Sequence, residues 1–329
     1  MKFDLENVPK NLSVSVGHNI PSGTKPSEIV KKLDEYVIGQ SEAKRILAVA
    51  SANHKAFVTY NREHKDSVPV KASNVLIAGP SGSGKTLLVE SLARELKCPY
   101  ICVDITNYTP SGYVGGNVAE ILDLLLATVE DAQFADQAII FVDEIDKISS
   151  HNTEGDSFKS VQLQAELLKL VEGAEVTVEP ASTSRAAYKF KTHNLMWIFG
   201  GSFAHYLKSE KLKDDKKTVG FGSSDIKKEK KKFDHETVTK AGFLPEFVGR
   251  IGHVVELNEL TRDDYKRILT EPVNNPIQLI KILEEYRGIK IDITDQDIDN
   301  IVDEAIKLGI GARSLKMLAE KYVFDKMYV

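Results

Sequence analysis

Three groups of residues in this sequence have the types and spacing for chemistry on a phosphate. Gly79, Pro80, Ser81, Gly82, Ser83, Gly84, Lys85 and Thr86 fit the pattern G-x-x-x-x-G-K-[ST] at every fixed position. Glycines at those places let successive backbone N–H groups turn inward around an anion, and the start of the following helix adds partial positive charge. Lys85 extends to the outer phosphates, and Thr86 carries a hydroxyl of the kind that ligates Mg2+. The second group is Asp143 and Glu144, which end an apolar run 58 residues beyond Lys85. Desolvating unpaired carboxylates is expensive, so two acids at the end of a buried strand imply a task. Asp143 would hold Mg2+ through water and Glu144 would polarise an attacking water. The third group is a pair of arginines that could meet transition-state charge: Arg250, after the apolar turn at 242–245, and Arg313, after Gly309 and Gly311. On residue type alone, each arginine reads first as an ordinary surface residue.

A phosphate loop works only between a strand and a helix, and the surrounding pattern supplies both. The apolar runs at 75–78, 139–142 and 195–199 read as buried strands of a parallel sheet. Helical spacing lies around them. Pro26 starts one helix, with Ile29, Val30 and Leu33 on a stripe; Ala43, Ile46, Leu47 and Ala50 mark a second after Gly39. Val118, Ile121, Leu122 and Leu125 mark another, as do Leu163, Leu167, Leu168 and Val171, giving an alternating α/β unit. Thr261 with Asp264, and Thr294 with Asp297, have capping-box spacing, while 289–293 alternates like a short strand. The expected organisation is an arm at 1–24, a large α/β domain at 25–257, and a smaller, mostly helical domain at 258–329 hinged near Asn258. The lysine-rich stretches 208–217 and 227–232 read as solvated loop. Between them stand Val219, Gly220, Phe221 and Gly222, an apolar tetrad that is a candidate docking plug.

Composition narrows the function classes. The chain has 329 residues, 42% apolar content and a net charge of −5, which argues against a general attraction to nucleic acid. No apolar run approaches the roughly 18 residues of a membrane span, and Met1, Lys2, Phe3 and Asp4 do not begin a signal peptide, so a cytoplasmic location and no membrane partner are expected. Cys98 and Cys102 form neither a disulfide framework nor a zinc site and read as reduced, half-buried thiols.

The motifs together resemble the AAA+ unfoldases of the ClpX type, with HslU a more distant likeness. The matching segments run in the family's order from Lys25 to Tyr328: Tyr36-Val37-Ile38-Gly39-Gln40, the phosphate loop, Gly112-Tyr113-Val114-Gly115, and the stretch from Phe141 through Asp143 and Glu144 to Ile148. They continue with Leu167-Leu168-Lys169-Leu170-Val171-Glu172-Gly173, the stretch from Gly242 through Pro245 to Arg250, and Gly311-Ala312-Arg313. The resemblance implies an AAA+ P-loop fold and an ATPase whose cofactors are ATP and Mg2+. ATP would sit against Val37, Ile38, the loop from Gly79 to Thr86 and the adjoining Leu87. Arg250 would be an arginine finger for a neighbour's ATP, Arg313 the sensor that couples the small domain to the γ-phosphate, and the assembly a homo-hexamer. Tyr113 and Val114 would grip polypeptide in a central pore, and Val219, Gly220 and Phe221 would dock a ClpP-type peptidase.

The expected activity is ATP-dependent unfolding and translocation of protein substrates. The alternative is an AAA+ motor acting on nucleic acid, of helicase or clamp-loader type, which the lysine runs favour and the Tyr-Val tip opposes. A module that only binds nucleotide would need neither Glu144 nor Arg250. The chain departs from the family in lacking cysteines for the usual N-terminal zinc domain, in a changed segment at 151–164, and in a short region at 181–193 where only Arg185 resembles the basic pore-entrance loop.

Overall fold

The computed structural model describes residues 24–110, 116–129, 132–151, 157–178, 188–204, 206, 233–288 and 290–327. Tyr113, Val114, Arg185, Val219, Gly220 and Phe221 lie outside the described residues.

Five parallel strands form the central sheet: β1 (Asn74–Ala78), β2 (Tyr100–Asp104), β3 (Ile139–Asp143), β6 (Met196–Gly201) and β7 (Ile251–Glu256), in the order β2-β3-β6-β1-β7. A separate antiparallel pair joins β4 (Glu175–Val178) to β5 (Tyr188–Lys191). The three strands expected from sequence are the three in the middle, β3, β6 and β1. They are buried on both faces and so read as unbroken apolar runs. The edge strands escape that rule. Along β2, Cys102 and Asp104 are exposed, and along β7, Gly252 and His253 are, which breaks the apolar signal. Cys102 is thus more open than expected, whereas Cys98 is buried and its thiol is pushed up to about 11 by desolvation.

Side chains alternate across this sheet into two cores. Val75, Ile77, Ile139, Phe141 and Ile198 face α1 (Pro26–Asp34), α2 (Ser41–Glu63) and α3 (Lys85–Leu96). Leu76, Ile140, Val142, Trp197 and Phe199 face α4 (Glu120–Thr128), α6 (Ser157–Val171) and the short helices α7 (His235–Lys240) and α8 (Pro245–Val248). The one-turn helix α5 (Ala132–Ala135) leads into β3. Each wholly buried aliphatic side chain here contributes about 1.5–3 kcal/mol relative to exposure, so a one-residue slip of any central strand is excluded.

Four helices complete the chain: α9 (Arg262–Thr270), α10 (Pro276–Arg287), α11 (Asp295–Leu308) and α12 (Arg313–Met327). They enclose a core of their own around Leu269, Ile280, Val302 and Leu315. Both expected capping boxes form, Thr261 with Asp264 and Thr294 with Asp297, each cap being worth about 1 kcal/mol. The strand expected at 289–293 does not form over its described part, 290–293. Among the described residues no strand pairs with it, and the Ile291 amide donates instead to the Glu284 carboxylate while its side chain enters the helical core. Among the described residues no helix is long and apolar enough to cross a membrane.

His54 shows how tightly α2 is packed on the sheet. It is 2% exposed, and its Nε2 lies 3.1 Å from the Gln137 carbonyl, to which it donates. Burial, helped by the nearby Arg62 charge and opposed by that hydrogen bond, holds the imidazole down to about 4. An unfolded histidine titrates near 6.5, so between pH 6.5 and 4 the unfolded chain binds a proton that the folded chain does not, and stability falls as pH falls. His54→Gln removes that linkage. Denaturant unfolding at pH 7 and pH 4.5 is expected to show a smaller loss in the variant, the difference being on the order of 3 kcal/mol at most; equal losses in the two proteins would refute it.

Candidate functional site

The ends of β1, β3 and β6 meet at one edge of the sheet. Gly79 follows β1 and its amide donates to the Gly201 carbonyl at 3.0 Å, which seats the phosphate loop on β6. Gly84 caps α3 in the left-handed region at φ 95°, and a Cβ there would meet nothing within 4 Å, so the loop mouth is open. Lys85 is the first residue of α3. Its Nζ donates to the carbonyls of Gly79 (2.7 Å) and Pro80 (3.1 Å), which satisfies a 9% exposed ammonium. Burial lowers its pKa, while the carboxylates of Asp143, Asp146 and Glu144 oppose that and the Arg313 charge adds to it. The Ser83 hydroxyl is buried in the loop and has no hydrogen-bond partner among the described residues. An open cradle, an orphaned hydroxyl and a cation held on its own backbone fit a bound polyphosphate.

Across the mouth, the Thr86 hydroxyl donates to Asp143 Oδ2 at 3.1 Å, and Oδ1 of the same carboxylate accepts from the Glu144 amide at 2.9 Å. A hydroxyl and a carboxylate in contact are the oxygen donors that suit Mg2+. Glu144 itself has φ 58° and ψ 27°, a left-handed conformation that costs a side-chain-bearing residue on the order of 1 kcal/mol. The turn is held by the Lys147 amide on the Glu144 carbonyl (2.9 Å), and it swings the Glu144 side chain, 44% exposed, away from the strand direction.

Residues outside the motif complete the site. Asp146, 5% exposed, accepts from the Ser202 amide at 3.0 Å and the Phe203 amide at 3.3 Å, fixing the chain where β6 ends. Gly200 and Gly201 make this possible, since a Cβ on the second would stand 2.8 Å from Asp146 Oδ1. In the sequence Asp146, between Ile145 and Lys147, stood inside the segment from Phe141 to Ile148 with no role attached to it. The turn at Val37 and Ile38, both buried, is braced by Lys44, whose Nζ bonds Asp34 Oδ1 at 2.6 Å and the Val37 carbonyl. Gln40 then exchanges two hydrogen bonds with the backbone of Asn258, 3.0 Å to its carbonyl and 2.9 Å from its amide. The next residue back, Leu257, stands 2.9 Å from where a Gly79 Cβ would be. The Val37–Ile38 turn is therefore tied to the base of the phosphate loop. Arg313, first in α12, is exposed and close enough to Lys85 to act on its charge. Leu87 is 45% exposed on α3.

Arg250 is elsewhere. It precedes β7, whose first residue Ile251 pairs with Asn74, the first residue of β1, whereas the phosphate loop follows the last. The strand between separates Arg250 from its own chain's loop by roughly 16 Å at about 3.3 Å per residue. Asn74 Nδ2 donates to the Arg250 carbonyl at 2.9 Å, and the guanidinium donates twice to Glu172 Oε1, at 3.0 and 2.5 Å.

Comparison with known proteins agrees with this geometry. Residues 70–254 match the family described as AAA domain (Cdc48 subfamily), and residues 260–329 match the C-terminal, D2-small domain, of ClpB protein. Among curated proteins, the ATP-dependent Clp protease ATP-binding subunit ClpX of Treponema denticola is 37% identical over 319 residues, covering 92% of this chain and 76% of that protein.

Asp146 gives a test of the brace under the site. Asp146→Ala strands the Ser202 and Phe203 amides, at about 1–3 kcal/mol for each group left unsatisfied. Denaturant unfolding is expected to show a loss of about 3 kcal/mol with reduced ATP turnover, and Asp146→Asn, which keeps one acceptor oxygen, a smaller loss; an Ala variant as stable and active as the parent would show that the brace is dispensable.

Proposed function

The chain belongs to the AAA+ ATPases of the ClpX type, and on that premise we propose that it assembles as a homo-hexameric ring that unfolds and translocates proteins, with each ATP cleaved between adjoining subunits. The observation that carries this reading is the place of Arg250. An arginine at the far end of the sheet is out of reach of its own subunit's phosphates, yet it stands half-exposed beside an edge strand, which suits a finger supplied to a neighbour.

In this reading residues 25–257 form the large domain and residues 258–329 the small one. Gly79, Pro80, Ser81, Gly82, Ser83, Gly84, Lys85, Thr86 and Leu87 surround ATP, Val37 and Ile38 line its adenine pocket, and Arg313 reports its γ-phosphate to the small domain. Thr86 and Asp143 would hold Mg2+, which when bound neutralises charge on the phosphate oxygens. Lys85 leaves the Gly79 and Pro80 carbonyls for the phosphates, a move its lowered pKa does not prevent because the phosphates restore the charge it loses to burial. Glu144, held off the strand axis, orients and polarises the attacking water, and Arg250 of the adjoining subunit meets the charge that develops on the transferred group. Tyr113 and Val114 would grip the polypeptide by apolar contact, which needs no sequence reading. Val219, Gly220 and Phe221 would seat on a ClpP-type peptidase that receives the unfolded chain.

Glu144→Gln is expected to keep nucleotide affinity within about threefold while steady-state turnover falls by at least about 10², the usual scale for a lost general base. An unchanged turnover rate would remove Glu144 from its role. Tyr113→Ala is expected to leave ATP turnover near the parent value while unfolding of a tagged substrate slows about tenfold or more, on the scale of one lost buried aromatic contact. Unaltered unfolding by that variant, or turnover stimulated by DNA and not by an unstructured protein, would overturn the reading.

A further inference from the structure

We propose that Gly311 is a positioning residue of the ATP site, through which the C-terminal helical bundle sets the tilt of a peptide in the phosphate loop by direct backbone contact. Gly82 of the loop and Gly311, two residues before α12, meet face to face. A Cβ built on Gly82 would stand 2.7 Å from Gly311 Cα and 2.7 Å from the Ile310 carbonyl oxygen. A Cβ on Gly311 would stand 2.7 Å from Gly82 Cα and 2.7 Å from the Ser81 carbonyl oxygen. Neither glycine can gain a side chain unless the two segments part, because what each Cβ would meet is backbone.

The contact carries a hydrogen bond. The Ala312 amide donates to the Gly82 carbonyl at 3.2 Å, while the amide of Ser83, on the same planar peptide, donates to the Pro80 carbonyl at 3.3 Å. One peptide of the phosphate loop is therefore held at both ends, and one of the two holds comes from the bundle. The bundle side is itself fixed: the Gly311 carbonyl accepts from the Ser314 amide at 3.2 Å and from its hydroxyl at 2.7 Å, and Ser314 is 1% exposed. Any rotation of α12 is thus passed to the Gly82–Ser83 peptide, and by linkage any nucleotide that reorients that peptide biases the bundle. This route is distinct from the Arg313 side chain, which acts through charge at longer range.

The inference rests on ATP binding at this loop, as proposed above, and Gly309 supplies the control. Gly309 and Gly311 share the left-handed region, at φ 67° and 76°, so alanine brings comparable backbone strain at either; but a Cβ on Gly309 meets nothing within 4 Å. Affinity for a fluorescent ADP and for a slowly hydrolysed ATP analogue is measured on the full chain, beside the melting temperature. Gly311→Ala is expected to weaken both nucleotides about tenfold or more, since a displacement of about 1 Å in a binding site costs up to roughly 10²-fold. Gly309→Ala should change affinity less than about twofold while lowering the melting temperature by a similar amount. In an Arg313→Ala background the Gly311→Ala loss should persist in full.

Equal affinities in the two glycine variants, or no further loss in the Arg313→Ala background, would overturn the proposal. A parent chain that binds neither nucleotide would instead refute the site. Should Gly311→Ala give no folded protein, Ala312→Pro removes the donated N–H at the residue before α12, outside the helix's own hydrogen-bond ladder, and the same weakening is required of it.

Discussion

Everything at this site depends on the parallel pairing of β3, β6 and β1. Because these strands run the same way, their C-terminal ends open at one edge, and a loop leaving β1 must face the acids that end β3. The strands are buried on both faces, so their register cannot slip without moving apolar side chains out of both cores. Phosphate loop, Thr86 hydroxyl and Asp143 carboxylate thus occupy fixed places before any ligand arrives. Preorganisation of that kind is what lets charged groups act in a site of low polarity without rearranging at the moment of reaction.

The balance of charge around Lys85 follows from the same geometry. A nearly buried ammonium would be costly alone; two loop carbonyls and the carboxylates at the sheet edge offset part of its desolvation, and burial still holds its pKa below the ordinary lysine value. The acids are in turn held apart in function by hydrogen bonding. Asp143 accepts from a hydroxyl and an amide, Asp146 from two backbone amides, and Glu144 alone is turned outward by a left-handed backbone. Three carboxylates within four residues therefore stand in three different surroundings, separated by what each one accepts. The exposed Arg250–Glu172 pair, by contrast, adds little stability, since half-exposed ion pairs are worth about 0–1 kcal/mol.

Much of the site was legible in the residues because a phosphate loop is a local object: its glycines, lysine and threonine are consecutive, and its strand and helix adjoin it. The central strands and the two capping boxes were readable for the same reason, as short-range patterns with a single physical solution. The edge strands β2 and β7 were not, since exposed residues such as Cys102 and His253 interrupt the apolar runs. Nor was the brace from Asp146 to Ser202 and Phe203, or the exchange between Gln40 and Asn258. Such contacts join positions tens to hundreds of residues apart and leave no spacing rule behind. The stretch at 290–293 shows the converse error, an alternating pattern that becomes no strand because it has no strand partner among the described residues and its Ile291 packs into the helical core.

Asn74 ties the two ends of this design together. Its side chain accepts from the Trp197 amide at 3.2 Å and donates to the Arg250 carbonyl, so the arginine is pinned to the first rung of the same strand whose last rung launches the phosphate loop. The length of β1 then sets the spacing between the two, while its ladder to β7 shifts register between Asn74 and Val75. Gly252 is the extra residue where β7 slips against β1, so the arginine follows β1 through the Asn74 side chain and not through an unbroken ladder.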